Sequence, residues 1–153
     1  MTATLATAPA GVNPNSTKTR RAGVLATLTQ QERERVEHLM VRRPFRAGRR
    51  LIEQDKVGTE FMFLLSGSAK VIVDGEVVEE ISSGSFFGES ALLGYQWGTS
   101  TRHRATITLT EDAEVGVCTF RDFVALLREF YPIRQVVFRQ ATRLGASADV
   151  TAR

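Results

Sequence analysis

The chain has 153 residues, 42% of them hydrophobic, enough for one ordinary domain with a core and too few for two. Its 20 Lys and Arg against 17 Asp and Glu leave a formal charge of +3, too balanced to imply nucleic acid by itself. A single cysteine, Cys118, excludes an intramolecular disulfide framework and fits a reducing, cytoplasmic setting, and no apolar run reaches the roughly 20 residues of a membrane helix.

Residues 1–23 are rich in Ala, Thr, Pro and Asn without periodicity and read as a disordered N-terminal tail. They lack a charged region followed by an apolar stretch, so no secretory leader is expected. A folded domain over 24–145 follows, with 146–153 as a short C-terminal tail. Thr29-Gln30-Gln31-Glu32 is a capping box, in which hydroxyl and carboxylate each satisfy an orphan backbone N–H. The helix it opens is expected to bury Val36, Leu39 and Met40 and to end at Pro44.

Glycines at 48, 58, 67, 75, 84 and 88 then punctuate the chain in the rhythm of short strands joined by turns. Asp74-Gly75, between Val71-Ile72-Val73 and Val77-Val78, signals a two-residue hairpin, because a type I′ turn demands positive φ. Ala105, Ile107 and Leu109 alternate with threonines in a half-buried strand, and Val115 and Val117 continue the pattern. At Thr119 the period switches. That residue caps a helix carrying Phe120, Phe123, Val124, Leu127 and Phe130 on one face. Pro132 suits the first position of a final helix with a stripe of Ile133, Val136, Val137, Ala141 and Leu144, stopped by Gly145. Strands grouped between helices make an α+β domain.

The chemistry concentrates in Gly84-Ser85-Phe86-Phe87-Gly88-Glu89-Ser90-Ala91-Leu92-Leu93 and in Arg102-His103-Arg104-Ala105-Thr106-Ile107. A glycine before a helix start lets a ligand approach the backbone, and the free N–H groups there favour an anion. Glu89 is out of place beside a phosphate unless it accepts hydrogen bonds from hydroxyls, as of a ribose, while a guanidinium balances the charge. Carboxylate, exposed amides and arginine together describe a cyclic ribose phosphate.

From about Leu28 to Leu144 these segments, in order, resemble the cyclic-nucleotide-binding domain of catabolite-activator-type regulators, cyclic-nucleotide-dependent kinases and gated channels. Gly48 to Glu53 resembles the family's opening strand, Phe61 to Gly67 its apolar strand and turn, and Gly84 to Glu89 the start of its phosphate-binding cassette. Arg104-Ala105-Thr106-Ile107 resembles the cassette's exit, and Phe120 to Leu144 its two trailing helices. The resemblance implies a jelly-roll-like β-roll with one N-terminal and two C-terminal helices. It implies a ligand site of Phe87, Gly88, Glu89, Ser90, Ala91, Arg102, His103, Arg104, Ala105 and Thr106, with cAMP or cGMP as ligand and no required cofactor, metal or catalytic residue.

Three departures accompany it. His103 stands where the family places its phosphate arginine, flanked by Arg102 and Arg104; the stretch from Glu89 to Ala105 is a lengthened loop; and Asp55 replaces a turn glycine. Either arginine can serve the phosphate, or the site is lost and the fold is a protein-interaction or oligomerisation module without nucleotide. His103 at that position would also make binding sensitive to pH. Trp97 reads as a packing residue rather than a base-stacking one.

The absence of G-x-S-x-G, P-loop and H-E-x-x-H patterns argues against an enzyme. The last helix carries Arg134, Arg139 and Arg143, but no helix-turn-helix follows it, which argues against DNA. The expected partners are a cyclic nucleotide and either an unidentified protein effector or a second copy through the last helix.

Overall fold

Asp74 and Gly75 have φ of 51° and 85°, as a type I′ turn requires, and they fold strand β5 (Ala69–Val73) back on β6 (Glu76–Ile81). The computed structural model describes residues 19–21 and 23–143, with side chains from 23 to 140. Around that hairpin lie β1 (Thr19–Arg21), β2 (Val41–Phe45), β3 (Arg50–Ile52), β4 (Glu60–Ser66), β7 (Phe86–Phe87), β8 (Thr106–Leu109) and β9 (Ala113–Thr119). Two sheets result, ordered β1-β6-β5-β8-β3 and β2-β9-β4-β7. All strand pairs are antiparallel except β1 with β6.

Helix α1 (Gln30–Glu37) precedes β2, α2 (Glu89–Trp97) follows β7, and α3 (Phe120–Glu129) and α4 (Tyr131–Arg143) follow β9. The capping box forms as expected: Thr29 Oγ1 accepts from Glu32 N at 3.1 Å, and Thr29 N donates to Glu32 Oε1 at 2.9 Å. Thr29→Ala removes half of that reciprocal pair and should lower stability by about 1 kcal/mol in a urea titration. A loss too small to measure would mean that packing alone holds α1. Thr119 caps α3 in the same way, accepting from Asp122 N at 3.2 Å.

Residues of β4 alternate between two cores. Met62 and Leu64 face the space between the sheets, with Ile52, Val71, Ile81, Phe87, Ile107, Leu109 and Val115. Phe61 and Phe63 face outward, where Val36, Phe86, Leu92, Cys118, Phe123, Leu126, Ile133 and Val137 cover them. A strand buried on both faces is what the continuous apolar run Phe61–Leu65 dictates. Burial and the nearby Asp122 push the Cys118 thiol up to about 12, so it serves as a core residue.

Three expectations need correction. The first helix ends at Glu37 rather than Pro44, and Val41–Phe45 form a strand. Pro44 is tolerated there because β2 is the edge strand of its sheet and one flank of it needs no N–H donor. The stretch after Glu89 is not all loop, since α2 runs to Trp97 and Gly98 stops it with φ 70°. Thr19–Arg21 pair in parallel with Glu79–Ile81, so ordered chain reaches back before residue 24. Residues 1–18, the tail 146–153, Leu144 at the end of the expected stripe and the expected stop at Gly145 lie outside the described residues.

Candidate functional site

β7 ends at Phe87, and Gly88 turns the chain with φ 94° into the first residue of α2. A Cβ at Gly88 would lie 2.8 Å from the Glu60 carbonyl oxygen, so neither the conformation nor the space admits a side chain. The amides of the first turn of α2 have no partners within the helix, and its dipole presents positive potential there.

Glu89, the first residue of α2, is only 1% exposed. The fold engages this residue, while its Oε2 accepts no hydrogen bond among the described residues. Opposite it runs the segment leading into β8. His103 N donates to Lys56 O at 2.8 Å, Asp55 N donates to His103 O at 2.9 Å, and Gly58 N donates to Thr101 O at 2.8 Å. These bonds lace residues 101–103 to the turn between β3 and β4, where Asp55 takes φ 71°. Asp tolerates that left-handed conformation better than most residues, so the missing glycine costs little.

The lacing fixes which way His103 goes. From 103 to 109 burial alternates strictly, with His103, Ala105, Ile107 and Leu109 inward. His103 is 9% exposed. Burial also holds its imidazole below the ordinary 6.5, because a charged ring there would lose hydration. Gly58 is what makes room for it: a Cβ there would lie 2.9 Å from His103 Cε1 and 2.5 Å from Ala91 Cβ.

Ile52, Phe87, Gly88, Glu89, Ser90, His103, Arg104, Ala105 and Ile107 line a cavity of about 20 Å³, the room of a single water. Across Ile52 and His103 lies an open groove of about 310 Å³ along β3 and the start of β4, edged by Arg50, Glu53, Lys56 and Glu60. A wider groove of about 990 Å³ beside β2, lined by Phe45, Arg46, Arg49, Asp112 and Glu114 among others, carries no buried polar side chain.

Seven of the ten expected site residues therefore meet at one cavity: Phe87, Gly88, Glu89, Ser90, His103, Arg104 and Ala105. Three do not line it. Arg102 is exposed, and its guanidinium donates to Asp55 O at 2.7 Å, committing it to the neighbouring turn. Ala91 is fully buried against Gly58. Thr106 Oγ1 accepts from Gln54 N at 3.0 Å, which draws it to the β3 side. Ile52 and Ile107 were not anticipated as lining. Period-two alternation from Ala105 points to Ile107, and Ile52 is its cross-strand partner.

At its far end α2 touches both trailing helices. Tyr95 packs on Phe120 of α3 with ring centroids 5.3 Å apart, and Trp97 meets Phe138 of α4 edge-to-face at 5.7 Å. Trp97 is thus a packing residue, as its setting in the sequence indicated.

A family model described as the cyclic nucleotide-binding domain matches residues 42–130. A cAMP-dependent protein kinase regulatory subunit of Debaryomyces hansenii is 35% identical over 71 residues, 46% of this chain and 16% of that protein. The chain thus spans about a sixth of that relative's length. Among solved structures, the catabolite activator protein of Thermus thermophilus superposes with a TM-score of 0.66 at 20% identity, covering 86% of this chain and 62% of that one. The cAMP-bound PfPKA-R superposes at 0.65 and 23% identity, covering 79% and 40%. At such identities these two likenesses establish the β-roll fold alone.

Proposed function

The chain belongs to the cyclic nucleotide-binding domain family, and from that membership we propose that it is a non-catalytic sensor of cAMP or cGMP in the cytoplasm. The phosphodiester sits on the first-turn amides of α2, with His103 and Arg104 on its flank. The ribose hydroxyl donates to Glu89. One observation carries this reading: a carboxylate only 1% exposed lines the same cavity as the inward-facing His103 and its neighbour Arg104. A carboxylate held in that wall is suited to accept a charge-assisted hydrogen bond from a ribose hydroxyl.

Ligand at the start of α2 bears on the same helix that packs against α3 and α4 through Tyr95 and Trp97. Binding shifts the population between placements of those two helices, and a partner protein reads the change. The curated relative's description as a regulatory subunit supports a regulated partner.

Calorimetry with cAMP and cGMP on native protein and Glu89→Ala tests the reading. Native protein should release or take up heat with at least one of them, and Glu89→Ala should bind roughly tenfold to a hundredfold more weakly, as for a lost hydrogen bond to a charged group. Equal affinities in the two proteins would remove Glu89 from the ligand.

A second reading, an interaction or self-association module without nucleotide, is favoured by two features. The cavity holds no more than one water, and Arg102 is spent on Asp55. It predicts thermal silence with both nucleotides.

A further inference from the structure

Two spaces meet at His103. On one side is the 20 Å³ cavity against Gly88 and Glu89, and on the other the 310 Å³ groove beside β3 and β4. The inner space is far too small for a nucleotide, and the outer one has the size at which small-molecule pockets begin, roughly 300 Å³. Only Ile52 and His103 line both. Ile52 is held in β3 by its pairing with Ile107. The backbone of His103 is fixed by its bonds to Asp55 and Lys56, so rotation about its side-chain bonds is the motion left to the ring.

We propose that His103 is a proton-operated gate of the nucleotide site: neutral, its ring partitions inner cavity from outer groove, and protonated, it turns onto the phosphodiester and joins the two. The proposal rests on the cyclic-nucleotide reading and adds the regulation of that site by pH.

The chemistry has one direction. A neutral imidazole fits the apolar wall formed by Ile52, Ala105 and Ile107. A charged imidazolium does not, and burial already disfavours it. The groups facing the ring are Glu89 from α2, Arg104 from its own segment, and Arg50, Glu53, Lys56 and Glu60 around the groove, with the Tyr95 hydroxyl 3.5 Å from Gly58 O nearby. A bound phosphodiester adds negative charge beside His103, where Arg104 is the one other basic residue of the lining. The ligand therefore draws a proton onto His103, and nucleotide affinity rises as pH falls.

Stability of the empty protein runs the other way. The folded ring holds its proton less well than the unfolded one. Its contribution is present above the ordinary 6.5 and is lost as pH falls through and below it.

Calorimetry with cAMP and cGMP at pH 7.5 and 5.5, on native protein, His103→Gln and His103→Arg, tests the gate. Native affinity should tighten about tenfold between the two pH values, within the limit of tenfold per unit for one linked proton. His103→Arg, always charged, should bind at both pH values without a slope, and His103→Gln should bind weakly without one. Nucleotide binding by native protein that ignores pH, or the native slope persisting in His103→Gln, overturns the gate and leaves the sensor standing. Silence from native protein and His103→Arg at both pH values overturns the sensor and the gate with it.

Ring-proton NMR of the native protein needs no variant. The chain has 2 histidines, and the exposed His38 is the internal reference. Saturating nucleotide should move the His103 titration upward, and an unmoved titration defeats the proposal.

Discussion

Phe61→Ala should lower the unfolding free energy by about 3–5 kcal/mol. Phe61 is fully buried near the start of β4. Its ring stands 4.7 Å from Phe123 of α3, 5.1 Å from Phe63 and 5.5 Å from Phe86, centroid to centroid. Truncation leaves a hole that cannot close, because β4 is fixed between β9 and β7. Its aromatic contacts, the one with Phe123 of α3 among them, disappear as well, each of roughly 0.5–1.5 kcal/mol beyond the buried area. Urea unfolding should show a lower midpoint with an unchanged slope. A slope that falls would mean instead that α3 and α4 come away before the roll unfolds, and a midpoint within error of native protein would remove Phe61 from the tie between them.

That tie joins the site to the proposed signal. β4 contributes Phe61 and Phe63 to the helical core and Met62 and Leu64 to the roll interior, while β7, its partner, runs directly into Gly88. On the proposed reading, a change at the Gly88 turn reaches α3 and α4 along two routes, through the phenylalanine cluster and through Tyr95 and Trp97 on α2.

The parts of this arrangement that sequence discloses are those encoded locally. The Asp74-Gly75 turn, the two threonine caps and the alternation of β8 each follow from a few adjacent residues, and each is present. β2 is the opposite case. Arg42, Arg43 and Pro44 read as the end of a helix, since an exposed edge strand shows no inward and outward rhythm; its existence depends on β9, some seventy residues away in the chain. Similarly, Gly88 and Glu89 announce themselves as a ligand turn, but Arg102, His103 and Arg104 form a run of three basic residues whose directions depend on register. Carrying the parity of Ala105, Ile107 and Leu109 back by one step places His103 inward with them, and that signal was available. That Arg102 would bond the Asp55 carbonyl was not, because it requires the turn between β3 and β4 to lie alongside.

Gly88→Ala should cost roughly 2–5 kcal/mol, the sum of a left-handed backbone penalty and a packing clash, and should remove nucleotide binding although no polar group is deleted. Two other glycines separate those contributions. Gly48 and Gly75 have φ of 88° and 85°, close to the 94° of Gly88, but a Cβ at either meets nothing within 4 Å. Gly48→Ala and Gly75→Ala should therefore lose only the backbone part, roughly 1–2 kcal/mol. At Gly88 the added carbon meets the Glu60 carbonyl oxygen at 2.8 Å and Ile52 Cδ1 at 3.3 Å. The first is backbone of the pinned β4 and the second is cavity wall, so relief must come from shifting the start of α2. That shift displaces the amides and Glu89 together. Should urea titration find Gly88→Ala no less stable than Gly48→Ala, with nucleotide still bound, the close approach of Gly88 to β4 would have no role in holding the site open.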